Sequence, residues 1–110
     1  MPKNANGFSA GLIKEILVSS GGQFTLQVTP TSLTVVKADM GRLCRVLVTT
    51  LNGANAVLIY DNATTNTGTI IGYIPAAAAV GTIIDFSMPA VNGITIAATV
   101  SAGTFTISYD

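Results

Sequence analysis

The sequence predicts an all-β fold, an antiparallel two-sheet β-sandwich with a jelly-roll-like layout, about eight strands and an N-terminal arm. Three observations carry this expectation. Apolar residues alternate with polar ones at a period of two in the first and last clear segments, β-branched runs fill the space between them, and Asn, Gly and Pro punctuate the runs. No long stretch has helical spacing, and many short strands favour layered sheets, because layering hides the strand edges. A closed barrel is the alternative architecture.

In chain order, Phe24, Leu26 and Val28 alternate with Gln23, Thr25, Gln27 and Thr29, which makes one face buried and the other wet. Further strands are expected at Leu33 to Lys37, Leu43 to Leu51, Ala56 to Asp61, Thr69 to Ile74, Thr82 to Met88 and Ile94 to Val100, all rich in β-branched residues. The last strand repeats the alternation, with Phe105, Ile107 and Tyr109 set against Thr104, Thr106 and Ser108. Asn52-Gly53, Asn92-Gly93 and Ala102-Gly103 fall between runs, where tight turns with positive φ and at least two antiparallel hairpins are expected. Leu43 to Leu51 and Ala56 to Asp61 are apolar on both faces, so these strands are either central in a sheet or covered by a neighbouring subunit.

Residues 1–21 are assigned to the arm and 22–110 to a single sandwich domain. Within the arm, Leu12, Ile13, Ile16 and Leu17 have helical spacing after Ser9, although Ile16 to Val18 also suits an edge strand. The apolar stretch Ile70 to Ile84 is interrupted by Gly72, Pro75 and Gly81 and is too short to span a bilayer, so it reads as two strands and a loop. Pro75 to Gly81 is a connecting loop, with one turn of helix as the alternative.

Composition narrows the function. The chain has 110 residues, 49% hydrophobic and only 9% charged, so much of its surface is uncharged and suited to contact with protein. Five basic and five acidic residues cancel, which gives nothing to steer the chain towards nucleic acid, and no membrane partner is expected. The first residues lack the apolar core of a secretory signal, and the single cysteine has no disulfide partner, so synthesis in a reducing cytoplasm is expected.

Candidate chemistry is sparse. Cys44 has no histidine to activate it and shares its alternation with Val46 and Val48, so it reads as a core residue. Asp39, Asp61 and Asp85 fall at the ends or outer faces of different strands without ligand spacing, and the loop Asp61 to Gly68 lacks the pattern of a calcium site. No catalytic residue, metal site or cofactor is assigned. Arg42 and Arg45 stand out because they sit within an apolar strand start in a chain with few charges. An intersubunit ion pair is expected for them, with arginine in water as the alternative. Lys14 and Glu15, the charges that interrupt the arm's apolar residues, complete the candidate interface set.

The ordered segments Gly41-Arg42-Leu43-Cys44-Arg45-Val46, Leu58-Ile59-Tyr60-Asp61, Pro89-Ala90-Val91-Asn92-Gly93-Ile94 and Phe105-Thr106-Ile107-Ser108-Tyr109 resemble small virion proteins of tailed bacteriophages and prophages. The resemblance spans about residues 22 to 110 and departs at the N-terminal segment. It implies a jelly-roll-like cement or decoration protein on the capsid surface, bridging subunits of the major capsid protein and assembling as a homo-oligomer, with a trimer favoured. It brings no catalytic residues. The rival expectation is a tail- or fibre-associated module that binds a receptor or glycan through the loops at 61 to 68 and 75 to 81, although the chain has no Trp for stacking on sugar. An enzyme built on the three aspartates is the remote third.

Overall fold

A computed structural model describes residues 21–30, 33–98 and 102–110. The expected arm, including Lys14, Glu15 and the helix-or-strand question at 9–20, lies outside the described residues. The described chain is all-β, with eight strands: β1 (Phe24–Val28), β2 (Leu33–Lys37), β3 (Gly41–Thr50), β4 (Val57–Tyr60), β5 (Ile70–Ile74), β6 (Ile83–Ala90), β7 (Ile94–Ala97) and β8 (Thr104–Tyr109). Every expected strand is present, with ends moved by a residue or two in β3 to β6, while β7 ends at Ala97 rather than running to Val100, the end of that expectation lying outside the described residues. Ile70 to Ile84 resolves into two strands flanking a loop, and among the described residues no helix is long and apolar enough to cross a membrane.

The strands form two antiparallel four-stranded sheets, ordered β1-β8-β3-β6 and β2-β7-β4-β5. Inward side chains of both sheets make one core, with Leu43, Val46, Val48, Phe105 and Ile107 from the first sheet against Val57, Ile59, Ile74, Ile94 and Ile96 from the second. β3 and β4 are both interior strands, the central position that is one of the two settings expected for them. Gly72 belongs to the same packing: a Cβ there would stand 2.8 Å from Leu43 Cδ2 and 2.9 Å from Ile59 Cδ1, so the layers close over a missing side chain.

The hairpin expectation is corrected by the topology. Asn52-Gly53, Asn92-Gly93 and Ala102-Gly103 do lie between strands, but β3 and β4, β6 and β7, and β7 and β8 belong to opposite sheets. The hairpin formed by consecutive strands is β4–β5, through the longer loop at 61–69. Positive φ occurs at Gly22, Gly68 and Gly81, and at Ala77 and Ser87, rather than at the expected turn glycines. Close approach explains two of those glycines instead. A Cβ on Gly93 would lie 2.7 Å from the Lys37 carbonyl oxygen, and one on Gly103 would run into the Thr50 and Leu51 carbonyls. A connection between stacked sheets must pass tightly over the core's end, and a side chain there has no room.

Cys44 is fully buried in alternation with Val46 and Val48, as expected, and a bulge between Leu43 and Arg45 lets the adjacent Leu43 face inward as well. One extra residue in β3 keeps Leu43 and Val46 both in the core. The Cys44 Sγ lies 3.8 Å from the Arg42 carbonyl oxygen. The outer edge of β6 carries Ser87 at positive φ and Pro89, features that block addition of a further strand.

Candidate functional site

The outer faces of the two sheets are the surfaces on which the fold can act, and register and burial assign their residues. On the first sheet, one outer row runs Thr25–Ser108–Arg45–Asp85 and the next Gln27–Thr106–Leu47–Ile83. This face is hydroxyl-rich and carries an ion pair, with an apolar corner at Leu47 and Ile83. On the second sheet, the rows are Leu33–Ala97–Leu58–Tyr73 and Val35–Thr95–Tyr60–Ile70. Neither row holds a charge. Leu33, Val35, Ile70 and Tyr73 are exposed, Leu58, Tyr60 and Ala97 are half-buried, and Thr95 is fully buried.

Four strands at about 4.8 Å and two rows about 7 Å apart cover a few hundred Å². That is the size of the largest apolar patch on an ordinary monomer, and it is below the roughly 800 Å² per partner of a stable two-body complex. Such a face holds one contact among several, not a tight dimer on its own.

The patch turns the sandwich edge at β5. A groove of about 290 Å³ opens between β5 and β6, lined by Ile70, Ile71, Gly72 and Tyr73 on one side and Asp85, Phe86 and Met88 on the other. Its single carboxylate has no acid–base partner in the lining. Among the described residues no three His, Cys, Asp or Glu gather where they could hold a metal ion.

The three aspartates weighed in the sequence are engaged separately. Asp39 lies 3.9 Å from Lys37 Nζ and is exposed. Asp85 lies 3.5 Å from Arg45 Nε on the open face and accepts from Ser87 Oγ at 3.0 Å. Asp61 is a clamp: the amides of Val91, Asn92 and Gly93 donate to its carboxylate at 3.1, 2.8 and 3.3 Å. Those bonds favour the charged form, the Asn92 bond most, and together hold the carboxyl below its ordinary value against the opposing effect of desolvation. Thr95 adds a hydroxyl bond to the Asn62 carbonyl at 2.7 Å, so the 61–69 loop is tied to the turn before β7.

Arg42 and Arg45 have partners within the chain. Arg42 Nε donates to Asp110 Oδ2 at 2.8 Å. Its Nη2 lies 2.7 Å from the same oxygen, close enough for an ion pair but without an aligned hydrogen bond. The other Asp110 oxygen accepts from the Gln23 amide at 2.9 Å, and the Asp110 amide donates to the Arg42 carbonyl at 3.0 Å. This largely buried cluster latches β1, β3 and β8 together at one end. Arg45, half-exposed against Asp85, is the arginine on the open face of the first sheet.

Sequence reasoning missed the opposite end, which is organised by Asn52. Its side chain is buried, donates to the Asn55 and Pro75 carbonyls at 3.2 and 2.8 Å, and accepts from the Gly53 and Gly103 amides at 2.9 and 3.3 Å. One carboxamide thus joins three loops. The Asn-Gly pair marked the position but was read as a turn. The loops at 61–68 and 75–81 flank β5, which places them at opposite ends of a five-residue strand, about 17 Å apart. A compact ligand site cannot contain both.

No family model, curated protein or solved structure matches the chain.

Proposed function

We propose that this domain is a structural assembly protein: a capsid cement or decoration protein of a tailed bacteriophage, docking through the outer face of the second sheet. The observation that carries the reading is the uncharged double row Leu33–Ala97–Leu58–Tyr73 and Val35–Thr95–Tyr60–Ile70, half of it exposed. Left in water, it is an association surface. Its modest area suits a shell protein, whose weak contacts add up over many copies while each one remains reversible during assembly.

The order of strands, with β4–β5 the hairpin among consecutive strands and the other connections passing between sheets, supports a jelly-roll layout, the double-sheet architecture common in capsid domains. In this reading the partner is the major capsid protein, the oligomer is a trimer, synthesis takes place in the bacterial cytoplasm and residues 1–21 form an arm that reaches a neighbouring subunit. Lys14 and Glu15 serve as peripheral contacts, and no cofactor is required.

The test is cryo-electron microscopy of heads with the protein bound, together with sedimentation of Leu58→Lys with empty heads. Expected are density over the second sheet and loss of co-sedimentation by the variant. Heads that bind Leu58→Lys as well as the parent, or that never bind the parent, would overturn the proposal.

A further inference from the structure

The chain contains three Asn-Gly pairs, Asn6-Gly7, Asn52-Gly53 and Asn92-Gly93, of which the first lies outside the described residues. Glycine after asparagine leaves the asparagine Cγ open to attack by the next backbone nitrogen, because no side chain obstructs it. The fold treats the two described pairs in opposite ways.

Asn52 is 2% exposed, and its carboxamide is fixed by four hydrogen bonds. The Gly53 N–H already points at Asn52 Oδ1, an arrangement that keeps the nitrogen's lone pair away from Cγ. Reaction there requires the joint of three loops to open.

Asn92 lies on the surface, and among the described residues its carboxamide has no hydrogen-bond partner. The attacking amide, Gly93 N–H, makes the longest of the three bonds to Asp61, 3.3 Å against 2.8 Å for Asn92 and 3.1 Å for Val91. It is the least tightly held; Gly93 itself is buried, while the Val91 and Asn92 bonds of the clamp are at the surface.

We infer that Asn92 is a site of spontaneous covalent modification, a slow deamidation that loosens the loop clamp at this end of the sandwich. Gly93 N loses its proton to base and bonds to Asn92 Cγ. The Cγ–Nδ2 bond breaks and ammonia leaves with a proton from solvent, giving a five-membered succinimide. Water then opens one of its two carbonyls, leaving aspartate or isoaspartate at 92. Overall one water is consumed and one ammonia released.

Either product places a second carboxylate beside Asp61, and like charges there oppose the clamp. Isoaspartate also lengthens the backbone by one methylene, which draws the amides of 91–93 off the Asp61 oxygens. The consequence is an ageing reaction written into the turn between β6 and β7. It is independent of what the second sheet binds.

The experiment incubates the full chain at neutral pH, native and in parallel in urea, and follows each site by peptide mass spectrometry, with isoaspartyl methylation as the second readout. In the native chain Asn92 is expected to convert at least about tenfold faster than Asn52, since Asn52 must first give up its buried hydrogen bonds. In urea the two should converge. The converted fraction, separated by charge, should unfold at a lower temperature than the parent. Equal rates at 52 and 92 in the native chain, an Asn92 that stays intact while the urea sample converts, or an unchanged unfolding temperature would each overturn the inference.

Discussion

The two outer faces of the sandwich are built alike and finished differently. Each presents two rows across four antiparallel strands over the same core. The first sheet shows water Thr25, Gln27, Thr106 and Ser108 with the Arg45–Asp85 pair, and the second shows Leu33, Val35, Leu58, Tyr60, Ile70 and Tyr73. Folding constrains the inward side of a strand, so the outward side is free to record other demands. A hydroxyl-rich face answers to solubility, and under the proposed function the uncharged aromatic and aliphatic face answers to a partner.

The largest effect comes from removing what both faces share. Phe105 is fully buried at the centre of the core, and Phe105→Ala should cost about 3–5 kcal/mol, read as a lower urea midpoint. If the loss is under about 1 kcal/mol, the sheets do not pack through this side chain and the two faces do not belong to one cooperative unit.

Next is a matched pair of charges. Leu58→Lys on the second sheet should weaken association by about a hundredfold, near 3 kcal/mol, because an interfacial ammonium without a partner must be stripped of water. Thr106→Lys on the first sheet should leave association unchanged, with both variants keeping the β-sheet circular dichroism of the parent. Equal losses from the two would erase the distinction between the faces.

The ends of the sandwich provide a smaller test. The folded Asp61 carboxyl lies below its ordinary value, so its clamp contributes stability that is complete above the unfolded-state pKa and declines as pH falls through the folded one. Asp61→Ala should flatten the stability profile in that acid range and cost about 1 kcal/mol at neutral pH, discounted because the group is near the surface. A parent-like acid limb in the variant would assign the pH dependence elsewhere.

The smallest effect is expected at Arg45. Its pair with Asp85 is half-exposed and spans 3.5 Å, so Asp85→Ala should change the urea midpoint by less than about 0.5 kcal/mol. A larger change would mean that the ion pair, and not the surrounding hydroxyls, maintains the first sheet's outer face.

Thr104 to Tyr109 shows how much could be read in advance. Its alternation named the strand, the buried Phe105 and Ile107 and the wet threonines, all from neighbours in sequence. The β3 bulge defeats the same rule at Leu43, buried next to Cys44, because one inserted residue reverses the parity and nothing local announces it. Of the candidate site, Arg42 and Arg45 were legible as unusual, but their partners were not. The apolar double row was half visible, since Leu58 and Tyr60 could be seen to make the β4 segment apolar on both faces without revealing which other strands lie beside it.

By itself the amino-acid sequence determined that this polypeptide makes short strands around one apolar core, because a period of two and β-branched side chains act over a few residues. Tertiary structure alone decided which strands share a sheet, and so which face gathers the uncharged rows. It also chose the long-range partners: Asp61 holds amides 30 to 32 positions away, Asn52 reaches Gly103 across 51 and Asp110 meets Gln23 across 87. Polar groups at the ends of stacked sheets are satisfied by whatever the packing brings beside them, and that proximity is a property of the assembled layers rather than of any local stretch of chain.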